Sequence, residues 1–174
     1  LIETAQDLLQ VKCAINACLH ALDQRHRTID QIPLLVQVTI ETSGTMLLGT
    51  EIAAAATALR QFPILCLGLN CATGPVEMAE HLQWLGRHWT RYISVVPNAG
   101  LPTLVEGRTE YPLKPQPFAQ KMLEFVESFA VNLIGGCCGS TPEHIAALIE
   151  AVGDRPPASV QKAPAGPGCS SLYG

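Results

Sequence analysis

The stretch Ile64-Leu65-Cys66-Leu67-Gly68-Leu69-Asn70-Cys71-Ala72-Thr73-Gly74-Pro75 contains a complete strand-to-helix transition. Its first six residues form an apolar run with the length of a buried strand. It ends with a proline directly after a glycine, which is typical of the first position of a helix, and residues 76–89 continue that helix. The stretch therefore predicts a strand that ends at Asn70 and Cys71 and leads into a helix.

The same order recurs along the chain. Further strands are predicted over residues 34–40, 92–96 and 131–134, and further helices over residues 51–59, 118–129 and 142–152. Apolar positions at helical spacing predict a first helix to about residue 22, which Thr4-Ala5-Gln6-Asp7 would open as a capping box. A proline-rich loop is expected between residues 97 and 117. This alternation is typical of a parallel α/β sheet, but it does not distinguish a barrel from an open doubly wound sheet.

The composition supports a buried sheet and excludes several functions. Charged residues make up 15% of the 174 residues and apolar residues 48%, whereas a typical soluble domain has about 25% charged residues. The net charge of −4 and the lack of a basic stripe argue against nucleic-acid binding. No apolar run reaches the roughly 20 residues of a membrane span. The odd number of cysteines, seven, two of them adjacent, favours a reducing compartment, and we expect the cytoplasm.

The two ends of the chain predict its domain organisation. Leu1-Ile2-Glu3-Thr4 has the character of the last turn of a strand, so we expect a piece of a longer protein. After Gly153 the sequence becomes rich in proline, glycine and serine. We therefore expect a domain over residues 1–153 and a linker or tail over residues 154–174.

Three cysteines stand at predicted strand ends. Cys71 follows the strand of the opening stretch, and Cys137 and Cys138 lie within Gly135-Gly136-Cys137-Cys138-Gly139 after the last strand. The flanking glycines allow backbone conformations in which both adjacent thiols face one point. Thr141 and Pro142 then begin a helix, whose amino-terminal dipole favours thiolates. Three thiols at neighbouring strand ends predict a zinc site with its fourth position open.

The other cysteines have a simpler interpretation. An isolated cysteine is usually a small buried hydrophobic residue, and we expect this of Cys13, Cys18 and Cys66. Cys169 has no evident role. The histidines at positions 20, 26, 81, 88 and 144 are expected on helices or loops, in surface or packing roles.

The ligand set predicts the chemistry. Three thiolates around Zn²⁺ leave a net charge of −1, which makes a poor Lewis acid for water but suits a sulfur ligand. A free thiol titrates near 8.5, and coordination to a metal removes its proton at neutral pH. The pattern therefore favours alkyl transfer to the sulfur of a substrate thiol.

Three segments carry a resemblance to a known family. Residues 68–72 (GLNCA) and 135–145 (GGCCGSTPEHI) resemble the homocysteine S-methyltransferase family, and residues 97–102 (PNAGLP) narrow the resemblance to its cobalamin-dependent branch, the methionine synthases. The resemblance extends from Leu1 to about Val152. It implies a (β/α)₈ TIM barrel, of which this chain would supply the end of the fourth strand through the eighth, with the helices outside.

The resemblance also implies roles for individual residues. Cys71, Cys137 and Cys138 would bind zinc, and Glu3, at the end of the fourth barrel strand, would hold the amino group of homocysteine. Asn98, at the end of the seventh strand, would contact zinc or the substrate, and Glu41, at the end of the fifth strand, would face the same substrate site. The methyl donor would be methylcobalamin, and the cobalamin- and folate-binding domains would belong to the same longer polypeptide.

Other functions remain open on the sequence alone. A homocysteine methyltransferase could use methylated sulfur or nitrogen donors, or could be fused to a folate reductase. A redox or structural protein could instead join Cys137 and Cys138 in a disulfide. A non-catalytic half-barrel or assembly partner is a third alternative, which would be favoured if no longer gene existed. A sheet with an open edge is a liability, so we expect the isolated chain to fold poorly or to be part of a longer enzyme.

Overall fold

A computed structural model describes residues 1–160 of the chain. In chain order its elements are β1 (Ile2–Ala5), α1 (Leu8–Gln24), β2 (Leu35–Val38), α2 (Ile52–Leu59), β3 (Cys66–Asn70), α3 (Pro75–His88), β4 (Tyr92–Val96), β5 (Thr103–Val105), β6 (Arg108–Glu110), α4 (Pro115–Phe129), β7 (Leu133–Ile134) and α5 (Pro142–Val152). Among the described residues, no helix is both long and apolar enough to cross a lipid bilayer.

The main sheet has five parallel strands in the order β1-β2-β3-β4-β7. Every crossover carries a helix, as parallel strands require. The register between β3 and β4 is continuous from the pair Cys66 and Tyr92 to the pair Asn70 and Val96. All five strands thus end at one edge of the sheet, where βα barrels hold their functional residues. The predicted α/β class and partial barrel are confirmed.

The two faces of the sheet differ in chemistry. Val36, Val38, Leu67 and Leu69 are fully buried and share one cluster with the helix residues, because alternate strand residues face the same side. On the other face Gln37 Nε2 donates a hydrogen bond of 3.0 Å to Ser94 Oγ. This bond passes over the intervening strand at Gly68, which is paired with both residues.

The start of α1 differs from the prediction. Thr4 does not cap the helix. It lies in β1, and Asp7 is the N-cap, with its carboxylate accepting hydrogen bonds of 3.2 Å from the N–H groups of Leu9 and Gln10. Thr4 instead donates its N–H to Asn70 Oδ1 at 2.8 Å and accepts from Asn70 Nδ2 at 2.9 Å. The strand predicted at Leu1–Thr4 is present as β1, and it ends at Ala5, two residues before the helix cap.

The region between β4 and α4 also differs from a simple loop. β5 and β6 form an antiparallel hairpin in which Glu106 and Gly107 both have positive φ, at 50° and 76°. Positive φ at both central residues is typical of a type I′ turn, whose twist matches the right-handed twist of the two flanking strands. Helix α4 then begins at Pro115, three residues before the predicted start. The hairpin ends at Glu110, directly before Tyr111.

The isolated cysteines do not share one environment. Cys13 is exposed, which makes its predicted burial wrong. Val11 and Ile15 are the buried positions of α1, and Cys13, midway between them, faces the opposite side of the helix. Cys18 is half-buried against the core, and Cys66 is fully buried. Burial raises the pKa of the Cys66 thiol to about 11, so it remains neutral.

The carboxyl end of the domain falls near the predicted boundary. Helix α5 ends at Val152, and Gly153 follows with a φ of 55°. The division into residues 1–153 and 154–174 remains a prediction, since residues 161–174, including Cys169, lie outside the described residues.

Candidate metal centre

The three predicted cysteines meet at the carboxyl edge of the sheet. Cys71 follows β3, while Cys137 and Cys138 follow β7. The Sγ atom of Cys138 lies 3.9 Å from the Sγ atoms of both Cys71 and Cys137, and all three sulfurs lie within 4.8 Å of one another. A zinc–sulfur bond of about 2.3 Å puts neighbouring sulfurs of a tetrahedron about 3.8 Å apart. The described thiols are free, and their spacing fits a common metal ion.

Both cysteine loops, after β3 and after β7, are hydrogen-bonded to the end of β4 and the residues that follow it. The N–H of Cys71 donates to the carbonyl of Val96 at 3.1 Å, and the N–H of Cys137 donates to the carbonyl of Pro97 at 2.7 Å. The N–H of Cys138 donates to Asn98 Oδ1 at 3.1 Å. These acceptors are the last residue of β4 and the two residues after it. Because β4 lies between β3 and β7, the prediction that the cysteines stand at neighbouring strand ends is wrong. One rigid element therefore sets the distance between the thiols.

The backbone at Cys71 adopts an unusual conformation. Cys71 and Ala72 have φ values of 61° and 58°, in the left-handed region that disfavours residues with a Cβ. Each such residue costs about 1 kcal/mol or more, and such strain concentrates at functional sites. The sharp turn directs the chain from β3 towards α3 directly after the thiol.

The glycines around the cysteine pair have different functions. Gly139 has a φ of 77°, and a Cβ there would overlap the ring of Tyr111. Gly135 has no such constraint, because its nearest neighbour would be a Val96 methyl at 3.5 Å. The prediction that flanking glycines shape this turn therefore applies most strongly to Gly139.

Burial and a neighbouring thiol oppose the ionisation of Cys137. Desolvation, followed by the charge of Cys71, raises the pKa of Cys137 to about 12. Cys137 and Cys71 are half-buried, while Cys138 is exposed. A cation bound at the cluster would favour the thiolate form of Cys137.

Of the predicted substrate-binding residues, only Asn98 has a contact with this cluster among the described hydrogen bonds, and Glu41 and Glu3 lie at β2 and β1. Asn98 is buried, and its side-chain oxygen is engaged with the N–H of Cys138. Glu41 follows β2 and accepts a hydrogen bond of 3.3 Å from Gln6 Nε2. Glu3 is an exposed residue of β1. It precedes Thr4, whose N–H donates a hydrogen bond to Asn70 Oδ1. Their roles towards a substrate remain predictions.

His144 is buried, and both of its ring nitrogens are already hydrogen-bonded to the protein. The N–H of Thr141 donates to its Nδ1 at 3.1 Å. Its Nε2 lies 2.9 Å from the carbonyl of Leu113, so Nε2 must carry the ring proton and donate it. Both ring nitrogens thus form hydrogen bonds within the protein, in agreement with the predicted structural role of His144. Thr141 is the N-cap of α5, as predicted.

Tyr111 is a neighbour of the site that the sequence analysis missed. Its ring packs against Gly139, next to Cys138, and its pKa is raised, first by desolvation. The available signal for the hairpin was Gly107 between two short segments, Thr103-Leu104-Val105 and Arg108-Thr109-Glu110, that contain the β-formers Thr and Val.

Replacing Asn98 with alanine should weaken metal binding about 10- to 100-fold, the usual cost of losing a group that orients a ligand. The change leaves the N–H of Cys138 without its acceptor and frees the cysteine loop. Competition with a chromophoric chelator measures the affinity.

A matched control is available at the opposite end of the same strands. Asn132 Oδ1 accepts the N–H of Ile93 at 3.0 Å, which is the same kind of bridge. Asn132→Ala should lower stability without changing metal affinity. Equal losses of metal affinity in both variants would contradict the role assigned to Asn98.

The chain is similar in sequence to a known family and to two named proteins. The sequence model of the homocysteine S-methyltransferase family matches residues 1–152. Methionine synthase of Mycobacterium tuberculosis is 47% identical over 99% of this chain, and methionine synthase of Mycobacterium leprae is 49% identical over 87%. The chain spans only 14% and 12% of the lengths of those proteins.

Solved structures share the same architecture. The apo form of the Escherichia coli homocysteine methyltransferase MmuM matches 86% of this chain and 48% of its own, with a TM-score of 0.61 and 25% identity. The metallated form of that enzyme matches 77% of this chain and 39% of its own, with a TM-score of 0.55 and 27% identity.

Proposed function

The chain belongs to the homocysteine S-methyltransferase family, and from this premise we propose that it takes part in methyl transfer to the thiol of homocysteine, which forms methionine. The metal in this proposal is zinc, held by Cys71, Cys137 and Cys138. The observation that carries the proposal is the meeting of these three sulfurs, 3.9 Å apart along two edges of the triangle.

The donor set supports zinc as the metal. Thiolate ligands favour zinc over magnesium or calcium, and three protein ligands with an open position are typical of a catalytic zinc. When bound, zinc lowers the pKa of a substrate thiol so that the thiolate is available at neutral pH. Hydrogen bonds from the N–H groups of Cys137 and Cys138 to Pro97 and Asn98, directly after β4, position these ligands in the metal-free chain.

The surrounding side chains would orient the amino acid. In this proposal the Glu3 carboxylate pairs with the substrate ammonium group. Asn70 fixes the adjacent Thr4 through two hydrogen bonds of 2.8 and 2.9 Å, which links that strand to the one that carries Cys71. Asn98 and Glu41 complete the mouth of the site.

The methyl donor in the proposal is methylcobalamin, carried by another domain of a longer polypeptide that also binds folate. The support is the identity of 47% and 49% to two methionine synthases, of which this chain spans a small part. A cytoplasmic location accords with the odd number of cysteines, seven, two of which are adjacent. The similarity to the Escherichia coli homocysteine methyltransferase keeps other methyl donors as a second candidate.

Zinc titration combined with thiol counting tests this function. We expect one zinc per chain and protection of three of the seven cysteines from a thiol reagent. Homocysteine added to the zinc-loaded chain should release a proton, whereas methionine, whose sulfur already carries a methyl group, should not. A chain that binds no zinc, or that contains a Cys137–Cys138 disulfide after purification under reducing conditions, would contradict the proposal.

A further inference from the structure

Strand β1 contains one residue more than its neighbour β2 needs. The pairing register advances by three positions in β1, from Ile2 to Ala5, while it advances by only two positions in β2. This is the arrangement of a β-bulge, which breaks the alternation of side chains along a strand. Ile2 and Ala5 therefore both pack against the core, although they are an odd number of residues apart. The two residues between them, Glu3 and Thr4, are both exposed.

The bulge depends on a strained residue that another strand holds. Thr4 has a φ of 53°, in the left-handed region that is unfavourable for a side chain branched at Cβ. Such a conformation persists only where the surrounding structure fixes it. From β3, beyond the intervening β2, Asn70 Oδ1 accepts the Thr4 N–H at 2.8 Å, and Asn70 Nδ2 donates to Thr4 Oγ1 at 2.9 Å. One amide side chain thus fixes both the backbone and the hydroxyl of the bulged residue.

Asn70 is itself firmly held. It is fully buried, and its carbonyl accepts a hydrogen bond of 3.1 Å from Thr39 Oγ1. The next residue is Cys71, one of the three proposed metal ligands, whose N–H donates to the carbonyl of Val96 at 3.1 Å. The residue that fixes the bulge therefore lies directly before a metal ligand on the same strand.

We propose that Asn70 is a positioning residue, which sets the place of the Glu3 carboxylate relative to the metal and thereby determines selectivity for a thiol that carries an amino group. The inference rests on the proposed function, in which Glu3 pairs with the substrate ammonium group while the metal binds the substrate sulfur. Both contacts are made to one small molecule, so both form well only if their separation matches that molecule. The hydrogen bonds of Asn70 to Thr4 connect the strand of the carboxylate to the strand of Cys71.

A comparison of two thiols isolates this role. The desamino analogue of homocysteine keeps the thiol and the carboxylate but lacks the ammonium group. A variant that only weakens the metal site should reduce the binding of both thiols by the same factor, because both bind through sulfur. A variant that displaces Glu3 should weaken the binding of homocysteine alone. The readout is therefore the ratio of the two dissociation constants, measured by calorimetry on the zinc-loaded chain.

Asn70→Ala should lower the preference for homocysteine over its desamino analogue about tenfold, which corresponds to the loss of one hydrogen bond to a charged group. Glu3→Gln removes the carboxylate charge and should lower the preference at least as much. Because Asn70 acts through Glu3 in this proposal, the double variant should lose no more than Glu3→Gln alone. A preference in Asn70→Ala equal to that of the wild type would overturn the inference.

Thr39→Val is the matched control, because it removes the hydrogen bond to the Asn70 carbonyl and leaves the amide side chain in place. It should lower stability and keep the preference of the wild type. Thr4→Ala covers the case in which Asn70→Ala does not fold, since it changes an exposed residue and removes one of the two bonds. It should lower the preference about threefold, and Thr4→Ser, which keeps the hydroxyl, should not. An unchanged preference in Thr4→Ala would then count against the inference.

Failure of the proposed function is visible separately, in the wild type. A wild-type chain that binds no zinc or no homocysteine would contradict that function, and equal binding of both thiols would contradict the role of Glu3 and the inference with it. Hydrogen exchange of the Thr4 amide tests the bulge without any substrate. It should be about tenfold faster in Asn70→Ala than in Thr39→Val. Equal exchange rates in these two variants would overturn the role of Asn70, whatever the metal content.

Discussion

Cys138→Ser is expected to lower zinc affinity by at least about a thousandfold and to remove homocysteine-dependent proton release. Binding to thiolate-rich zinc sites is worth about 10–16 kcal/mol in total, and only three protein ligands share it here. Cys138 is also the central sulfur of the cluster, 3.9 Å from each of the other two. Chelator competition measures the affinity, and calorimetry in two buffers of different ionisation enthalpy measures the proton release. Methionine formation in the presence of a methyl donor should be lost with them.

The same substitution at Cys13 is the control. Cys13 is an exposed thiol on α1, so Cys13→Ser removes a cysteine without touching the site. It should retain full zinc affinity and leave three thiols protected by the metal. The fold should survive both changes, because serine keeps the backbone bonds of Cys138 to Asn98 and Ala99. Zinc affinity near that of the wild type in Cys138→Ser would refute the ligand assignment.

Gly68→Ala is expected to destabilise the fold by about 3 kcal/mol or more, and it is the largest stability effect we predict. A Cβ at Gly68 would overlap both Ser94 Oγ and the Ser94 carbonyl. The carbonyl belongs to a neighbouring strand that pairs with β3 over five residues, so it cannot withdraw. The added methyl group would also displace the buried bond from Gln37 to Ser94.

Urea unfolding followed by circular dichroism measures the effect. Gly135→Ala is the matched control, because its new Cβ would meet only a Val96 methyl at 3.5 Å, an ordinary contact. That variant should stay within about 1 kcal/mol of the wild type. Similar losses in both variants would mean that glycine flexibility, and not the space above Gly68, determines stability.

Local sequence patterns were sufficient for the repeating part of the fold. The apolar run before Asn70 and the Gly74-Pro75 pair specify a strand and a helix start through nearest neighbours alone. The meeting of Cys71 with Cys138 followed from topology, since parallel strands end at one edge. These features depend on spacing along the chain, and spacing is visible in a sequence.

Features that depend on competition between nearby groups were harder to predict. Thr4 and Asp7 are both good helix caps, and only the pairing of Thr4 with Asn70, 66 residues away, assigns the cap to Asp7. The contact of Tyr111 with Gly139 likewise requires the path of a hairpin and the absence of a side chain at position 139. A sequence shows the residue types at these positions but not which distant partner prevails.

The end of β4 gives the site a further property, which concerns its motions. Val96, Pro97 and Asn98 accept the amide protons of Cys71, Cys137 and Cys138 respectively. An opening that releases β4 from its neighbours must expose all three amides together, so they belong to one cooperative unit in hydrogen exchange. A ligand that joins the thiols would slow the exchange of these three amides by the same factor. The metal centre and the strand end beneath it therefore form a single unit of local stability, although their residues come from three separate parts of the chain.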